Sequence, residues 1–306
     1  MSRRVQVIEV GPRDGLQNEK TPLSTEFKLG LLQRLEKCGF GEVEVTSMVH
    51  PKWVPQLADA AQLLAQLQDH PADNQRTVLV PNAKGLERAI ASGVGRVAVF
   101  IAASESFSQK NTNRSIDDSL VQTEQVIEQA RAAGLSVRGY LSTVFVCPFE
   151  GDIEAEVPAE LTRKLLQMGC DQVSLGDTIG AAVPEDIDRL LDQLEGVDPA
   201  LLALHLHDTY GTALANVTRG LERGIRAFDS SVGGAGGCPY APGATGNLAT
   251  EDLLYLLDRG GWEHGVDRDG VLEAARYLEE GLGRPLVSHL LAVSRSCSGE
   301  TTAPSS

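Results

Sequence analysis

Residues 96–141 read RVAVFIAASESFSQKNTNRSIDDSLVQTEQVIEQARAAGLSVRGYL, and the fold of the whole chain turns on how this stretch is parsed. The apolar run 96–102 has the length of a buried strand and is far too short to cross a membrane. Over 117–133, Leu120, Val121, Val126 and Ile127 recur at helical spacing, and Gly134 follows where a helix should stop. A second strand-like segment, 136–141, completes a strand–helix–strand unit. Working outward, further strands are predicted at 5–10, 42–46, 77–80, 172–175, 202–207 and 227–232. Helical patterns separate them, as over 25–38, where Phe27, Leu31, Leu32 and Leu35 share a face. Ser24 suits a helix start, while Gly39, Gly93, Gly169 and Gly224 suit helix ends. Eight strand–helix units over about 260 residues predict an α/β fold, a (β/α)8 TIM barrel, in preference to a doubly wound sheet. Two further helical stretches, 271–282 and 286–293, follow the eighth unit. The expected organisation is one catalytic domain over 1–295 and a flexible polar tail over 296–306.

The 306 residues are 42% hydrophobic and only 5% aromatic. With 27 Lys+Arg against 42 Asp+Glu, the net charge is −15, which would repel a nucleic-acid backbone over most of the surface. Few aromatic residues also argue against base stacking on single strands. No apolar run approaches membrane length and no signal-peptide core follows the basic start, so the expectation is a cytoplasmic protein without membrane partners. The five cysteines are Cys38, Cys147, Cys170, Cys238 and Cys297; their odd number, wide spacing and lack of C-x-x-C argue against disulfides and thiolate zinc.

A barrel of this kind carries its site at the carboxyl ends of the strands. The polar segments fall there: 11–20 after the first strand, Glu44 and 46–47 on the second, 174–178 on the sixth, 204–208 on the seventh. His205 and His207 are two apart on a strand, so both imidazoles leave one face. They read either as hydrogen-bonded barrel histidines or as half a metal site, completed by an oxygen donor such as Asp14. A nitrogen–oxygen set without thiolate suits Mg²⁺ or Mn²⁺, with Zn²⁺ or Co²⁺ as alternatives. Residues 233–247 hold six Gly and two Pro in fifteen positions, which excludes helix and central strand and predicts a loop over the barrel mouth. Cys238 in that loop reads as a catalytic acid, base or nucleophile. Asn247 reads as a helix N-cap or as an amide-oxygen metal ligand.

Taken together, IEVGPRDGLQNEK (8–20), PKWVPQ (51–56), SLGDTIG (174–180), HLHDTYG (205–211) and GGCPYAPGATGNLATED (236–252) resemble the 3-hydroxy-3-methylglutaryl-CoA lyases, a branch of the metal-dependent barrel lyases and synthases. The likeness runs from about Val5 to the early 280s. It implies that Asp14, His205, His207 and Asn247 bind a divalent cation. It further implies that Arg13 faces the thioester carbonyl and that Cys238 transfers a proton. Glu44, Asp177 and His205 are implied as catalytic, and Gln17, Ser174 and Glu251 as substrate-binding. The expected reaction is retro-Claisen cleavage of the acyl-CoA substrate to acetyl-CoA and acetoacetate. Its rivals are a longer 3-alkyl ester, with Ala235 and 47–48 setting size, or condensation by a synthase of the same family. Lys20, Lys84 and Lys110 are candidates for the CoA phosphates, and a homodimer is the expected assembly.

Overall fold

The computed structural model describes residues 3–236 and 246–298, with side chains up to Ser296. Eight parallel strands close on themselves: β1 (Gln6–Glu9), β2 (Glu42–Ser47), β3 (Gln75–Leu79), β4 (Arg96–Ala102), β5 (Ser136–Ser142), β6 (Gln172–Asp177), β7 (Leu202–Leu206) and β8 (Ala227–Ser230). Each pairs with its neighbours in sequence, and β8 returns to β1. This is the (β/α)8 barrel, with every strand boundary within two residues of the sequence reading. Outside it run α1 (Thr25–Lys37), α2 (Ala60–Gln68), α3 (Ala83–Ala91), α4 (Glu105–Thr112), α5 (Ile116–Ala132), α6 (Glu156–Met168), α7 (Pro184–Gln193) and α8 (Ala213–Glu222). Ser24 caps α1 by accepting from the Phe27 N–H, as expected.

Alternation along each strand divides the molecule into two interiors. Val97, Val99, Val137 and Leu141 join Leu120, Val126 and Ile127 of α5 in the apolar layer between sheet and helices. Each such side chain contributes roughly 1.5–3 kcal/mol when fully buried. The barrel's own interior differs. Such interiors are dominated by branched aliphatic residues, but here Glu42, Glu44, Arg138, Ser174 and Asp229 occupy it, each at most 2% exposed. The β2–β3 register slips between Glu44 and Thr46. Such a bulge re-aims the residues beyond it: Glu44 stays opposite Thr77, and Ser47 comes opposite Leu79, an interior residue.

Among the described residues, three α-helices follow β8: α9 (Thr250–Arg259), α10 (Arg268–Leu282) and α11 (His289–Ser298). Two expectations need correcting. Asn247 is not a helix cap, because residues 246–249 run extended across the ends of β7 and β8, with bridges His207–Asn247 and Ser231–Ala249, and α9 begins only at Thr250. The last helix also outruns its apolar pattern. It takes in Ser296–Ser298 from the expected tail, and Arg295 on its last turn pairs with Glu279 of α10.

Candidate metal centre and active site

β1 ends in a π-helical turn, Gly11–Gly15, in which the N–H groups of Arg13, Asp14 and Gly15 all converge on the Val10 carbonyl. π-turns of this kind recur at functional sites. Gly15 is required by contact: a Cβ there would lie 2.7 Å from Ser231 Oγ and 3.1 Å from the Ala235 carbonyl oxygen. The turn throws Arg13 and Asp14 over the barrel mouth. Arg13 Nε donates to Glu44 Oε2 at 2.6 Å, Nη1 donates to Asp14 Oδ1 at 2.5 Å, and its Cζ sits 5.3 Å from the Tyr140 ring centroid. Tyr140 donates its hydroxyl to the same Glu44 oxygen at 3.2 Å.

On β7, Leu204 and Leu206 face the helical layer, and His205 turns inward, as the two-residue period requires. His207 follows one residue past the strand. The two Nε2 atoms lie 3.3 Å apart, and His205 Nε2 is 3.8 Å from Asp14 Oδ2. Ligand atoms of Asp14, His205 and His207 all fall within 4.8 Å of one another. Asn247, bridged to His207 through the backbone, donates its amide to Asp14 Oδ2 at 2.9 Å and to the Ala235 carbonyl. Two imidazole nitrogens turned on each other beside a carboxylate fit a cation with nitrogen and oxygen preferences. His207 Nδ1 is buried without a partner among the described residues.

Charge and burial set the protonation states. Burial pushes Asp14 up, yet the Arg13 guanidinium and then the two imidazoles outweigh it and hold the carboxyl well below the usual range. Burial, then the neighbouring His205, lowers His207 to about 4. Burial raises Glu44 to about 7 against the pull of Arg13. Asp177, at the end of β6, is likewise raised to about 7 by burial, although its two oxygens accept the Ala181 and Ala182 N–H groups.

Arg13, Asp14, Glu44, His205, His207 and Asn247 thus meet at one point, as the sequence reading expects. Gln17 is half-buried in the helical turn just after Gly15. Two residues implied as substrate-binding have partners within the protein. Glu251 is fully buried and both its oxygens accept the Gly233 N–H; Ser174 is fully buried and gives its hydroxyl to Asp229. Ala235 is also fully buried, with its Cβ against Gly15 behind the π-turn, so its size acts on that turn. Cys238 lies outside the described residues, as does the side chain of Cys297. Lys20, Lys84 and Lys110 are exposed, and Lys110 Nζ stands 3.6 Å from the Phe149 ring centroid. The reading missed Arg138, Tyr140 and Asp229. Arg138 and Tyr140 carry the same two-residue signal as the histidine pair.

Comparison with known proteins agrees with this geometry. The HMGL-like family model matches residues 4–278. The mitochondrial hydroxymethylglutaryl-CoA lyase of Bos taurus is 50% identical over 283 residues, covering 92% of this chain and 87% of that protein. The HMG-CoA lyase structure from Bacillus subtilis matches with TM-score 0.94 and 44% identity, over 96% of this chain and 100% of the other. An HMG-CoA lyase from Acinetobacter baumannii, solved with coenzyme A and 3-methylmalate, matches with TM-score 0.90 and 33% identity over 100% and 98%. Alike in fold and in sequence along nearly its whole length, the chain belongs to the HMGL-like family.

Proposed function

We propose that this protein is a carbon–carbon lyase that cleaves 3-hydroxy-3-methylglutaryl-CoA to acetyl-CoA and acetoacetate, as in leucine breakdown. The observation that carries the reading is the meeting of the Arg13 guanidinium with Asp14, His205 and His207 at the carboxyl end of the barrel. Relatives named for this substrate, alike over 92% and 96% of the chain, favour it over longer 3-alkyl esters and over a condensing synthase. The neighbour solved with coenzyme A supports an acyl-CoA ligand.

Cleavage takes the proton from the C3 hydroxyl, breaks C2–C3 and sends that electron pair into a thioester enolate. C3 becomes the ketone of acetoacetate, and the enolate carbon accepts a proton to give acetyl-CoA. Asp14, His205, His207 and Asn247 would hold a divalent cation, Mg²⁺ or Mn²⁺, whose Lewis acidity would lower the pKa of the substrate hydroxyl. Arg13, aimed by Glu44 and Asp14, donates to the thioester oxygen, where charge develops only in the transition state. Burial opposes its charge, but those two carboxylates keep it protonated throughout. Asp177 is the proposed base: burial brings it to about 7, and it is not among the ion's ligands. Gln17 contacts the substrate's polar groups, and Cys238 returns the proton to the enolate carbon, an assignment that rests on the resemblance of 236–252. A cytoplasmic location belongs to the same proposal, supported by the free, buried thiols of Cys38, Cys147 and Cys170. No helix among the described residues is long and apolar enough to cross a membrane.

The test is acetyl-CoA release from a panel of 3-hydroxy-3-alkylglutaryl thioesters with Mg²⁺ or Mn²⁺. Release from the 3-methyl compound at the highest kcat/KM is expected. Preference for a longer ester would reassign the substrate, and no release from any member would remove the lyase reading.

A further inference from the structure

We propose that Asp229, clamped by Arg138 and Ser174, is a positioning residue that holds His205 in one tautomer and one orientation toward the cation. The proposal rests on the reading of Asp14, His205 and His207 as a metal site. Asp229 sits on β8 in register with His205 on β7, and its side chain is buried inside the barrel. Its Oδ1 accepts Arg138 Nη2 at 2.6 Å; its Oδ2 accepts the Ser174 hydroxyl at 2.7 Å and lies 3.2 Å from His205 Nδ1. Groups from β5, β6 and β7 therefore fix one carboxylate on a fourth strand.

The donor inventory decides the tautomer. An ionised carboxylate only accepts, so the hydrogen between Asp229 and His205 sits on Nδ1. In the neutral ring that leaves the lone pair on Nε2, the atom facing His207 Nε2 and Asp14 Oδ2. Arg138 supplies the counter-charge that lets the carboxylate remain an anion at full burial. An ion pair with a purely structural role would need only Oδ1. Here the second oxygen is turned to the imidazole, and Ser174 braces it there. The other histidine is held differently, since His207 Nδ1 has no partner among the described residues. The two imidazoles are thus unequal, with His205 the fixed member of the pair.

The experiment compares the full chain with Asp229→Asn and Ser174→Ala. It reads Mn²⁺ affinity by titration and the His205 tautomer by ¹⁵N NMR of the metal-free protein at a pH high enough for a neutral imidazole. Wild type is expected to carry its hydrogen on Nδ1. Asp229→Asn is expected to weaken Mn²⁺ binding by about 10–100-fold, the usual effect of losing a partner behind a metal ligand, and to shift the hydrogen toward Nε2. Ser174→Ala, a milder change that tests the clamp if the first variant does not fold, should weaken binding a few-fold. Wild-type affinity and tautomer in a folded variant would overturn the proposal, as would a wild-type Nε2–H form. Wild-type protein that carries the Nδ1–H form but binds no Mn²⁺ would instead overturn the metal-site reading.

Discussion

Removing the Arg13 guanidinium would strand two carboxylates, the buried Glu44 and the half-buried Asp14, without their counter-charge. Breaking one side of such a pair costs about 3–5 kcal/mol, so Arg13→Gln should lower thermal stability as well as activity. If the guanidinium acts on developing enolate charge, kcat should fall by about 10²–10³-fold or more with little change in KM. A change confined to KM would make Arg13 a substrate-binding residue. Asp177 is tested through pH. A base must be ionised, and burial raises this one to about 7, so kcat/KM should climb as pH rises through 7. Asp177→Asn should abolish that limb, and a variant that keeps it would pass the role to another group. Cys238→Ala should cut turnover while bound metal, measured by elemental analysis, stays at the wild-type level. Full activity would make the thiol a bystander.

The π-turn shows how an element can be visible in sequence without its reason being visible. GPRDG reads as a break after a strand, but the need for Gly15 comes from Ser231 and Ala235, more than two hundred residues away. Gly15→Ala should displace Arg13 and Asp14 and reduce activity strongly, while the far-UV spectrum of the barrel is unchanged. An active Gly15→Ala enzyme would show that the turn tolerates a shift of its neighbours. The strands were legible because period two survives in the sequence, and the His205–His207 pair was found by the same rule. Arg138 and Tyr140 obey it too, but an arginine within a strand usually marks an exposed face, and only closure of the barrel reveals its partner on β8. Asn247 was ambiguous because cap and ligand use the same amide; the extended path of 246–249 depends on bridges to β7 and β8. The partners of Ser174 and Glu251, Asp229 and the Gly233 backbone, are not legible in the sequence, because only packing fixes them.

Across the whole molecule, six carboxyl groups fall into two opposed sets, and their balance predicts how stability follows pH. Burial raises Glu9, Glu44 and Asp177 to about 7, and Glu251 to about 8, where the neighbouring Glu9 adds repulsion. Asp14 and Asp229 go the other way, since guanidinium and imidazole partners outweigh their burial. Between the ordinary carboxyl range and pH 8 the four raised acids outnumber the one lowered imidazole, His207, so the folded protein holds more protons than the unfolded chain. Stability must fall as pH rises through that window. Below it the sign reverses, because the unfolded chain protonates Asp14 and Asp229 while the native state resists. Metal-free protein should accordingly unfold at a higher urea concentration at pH 5.5 than at pH 8.5. Glu251→Gln, which keeps an acceptor for the Gly233 N–H and stays neutral, should flatten that slope. Equal midpoints at the two pH values in wild type would mean that Glu9 and Glu251 are ionised in the fold and that water or a cation reaches them.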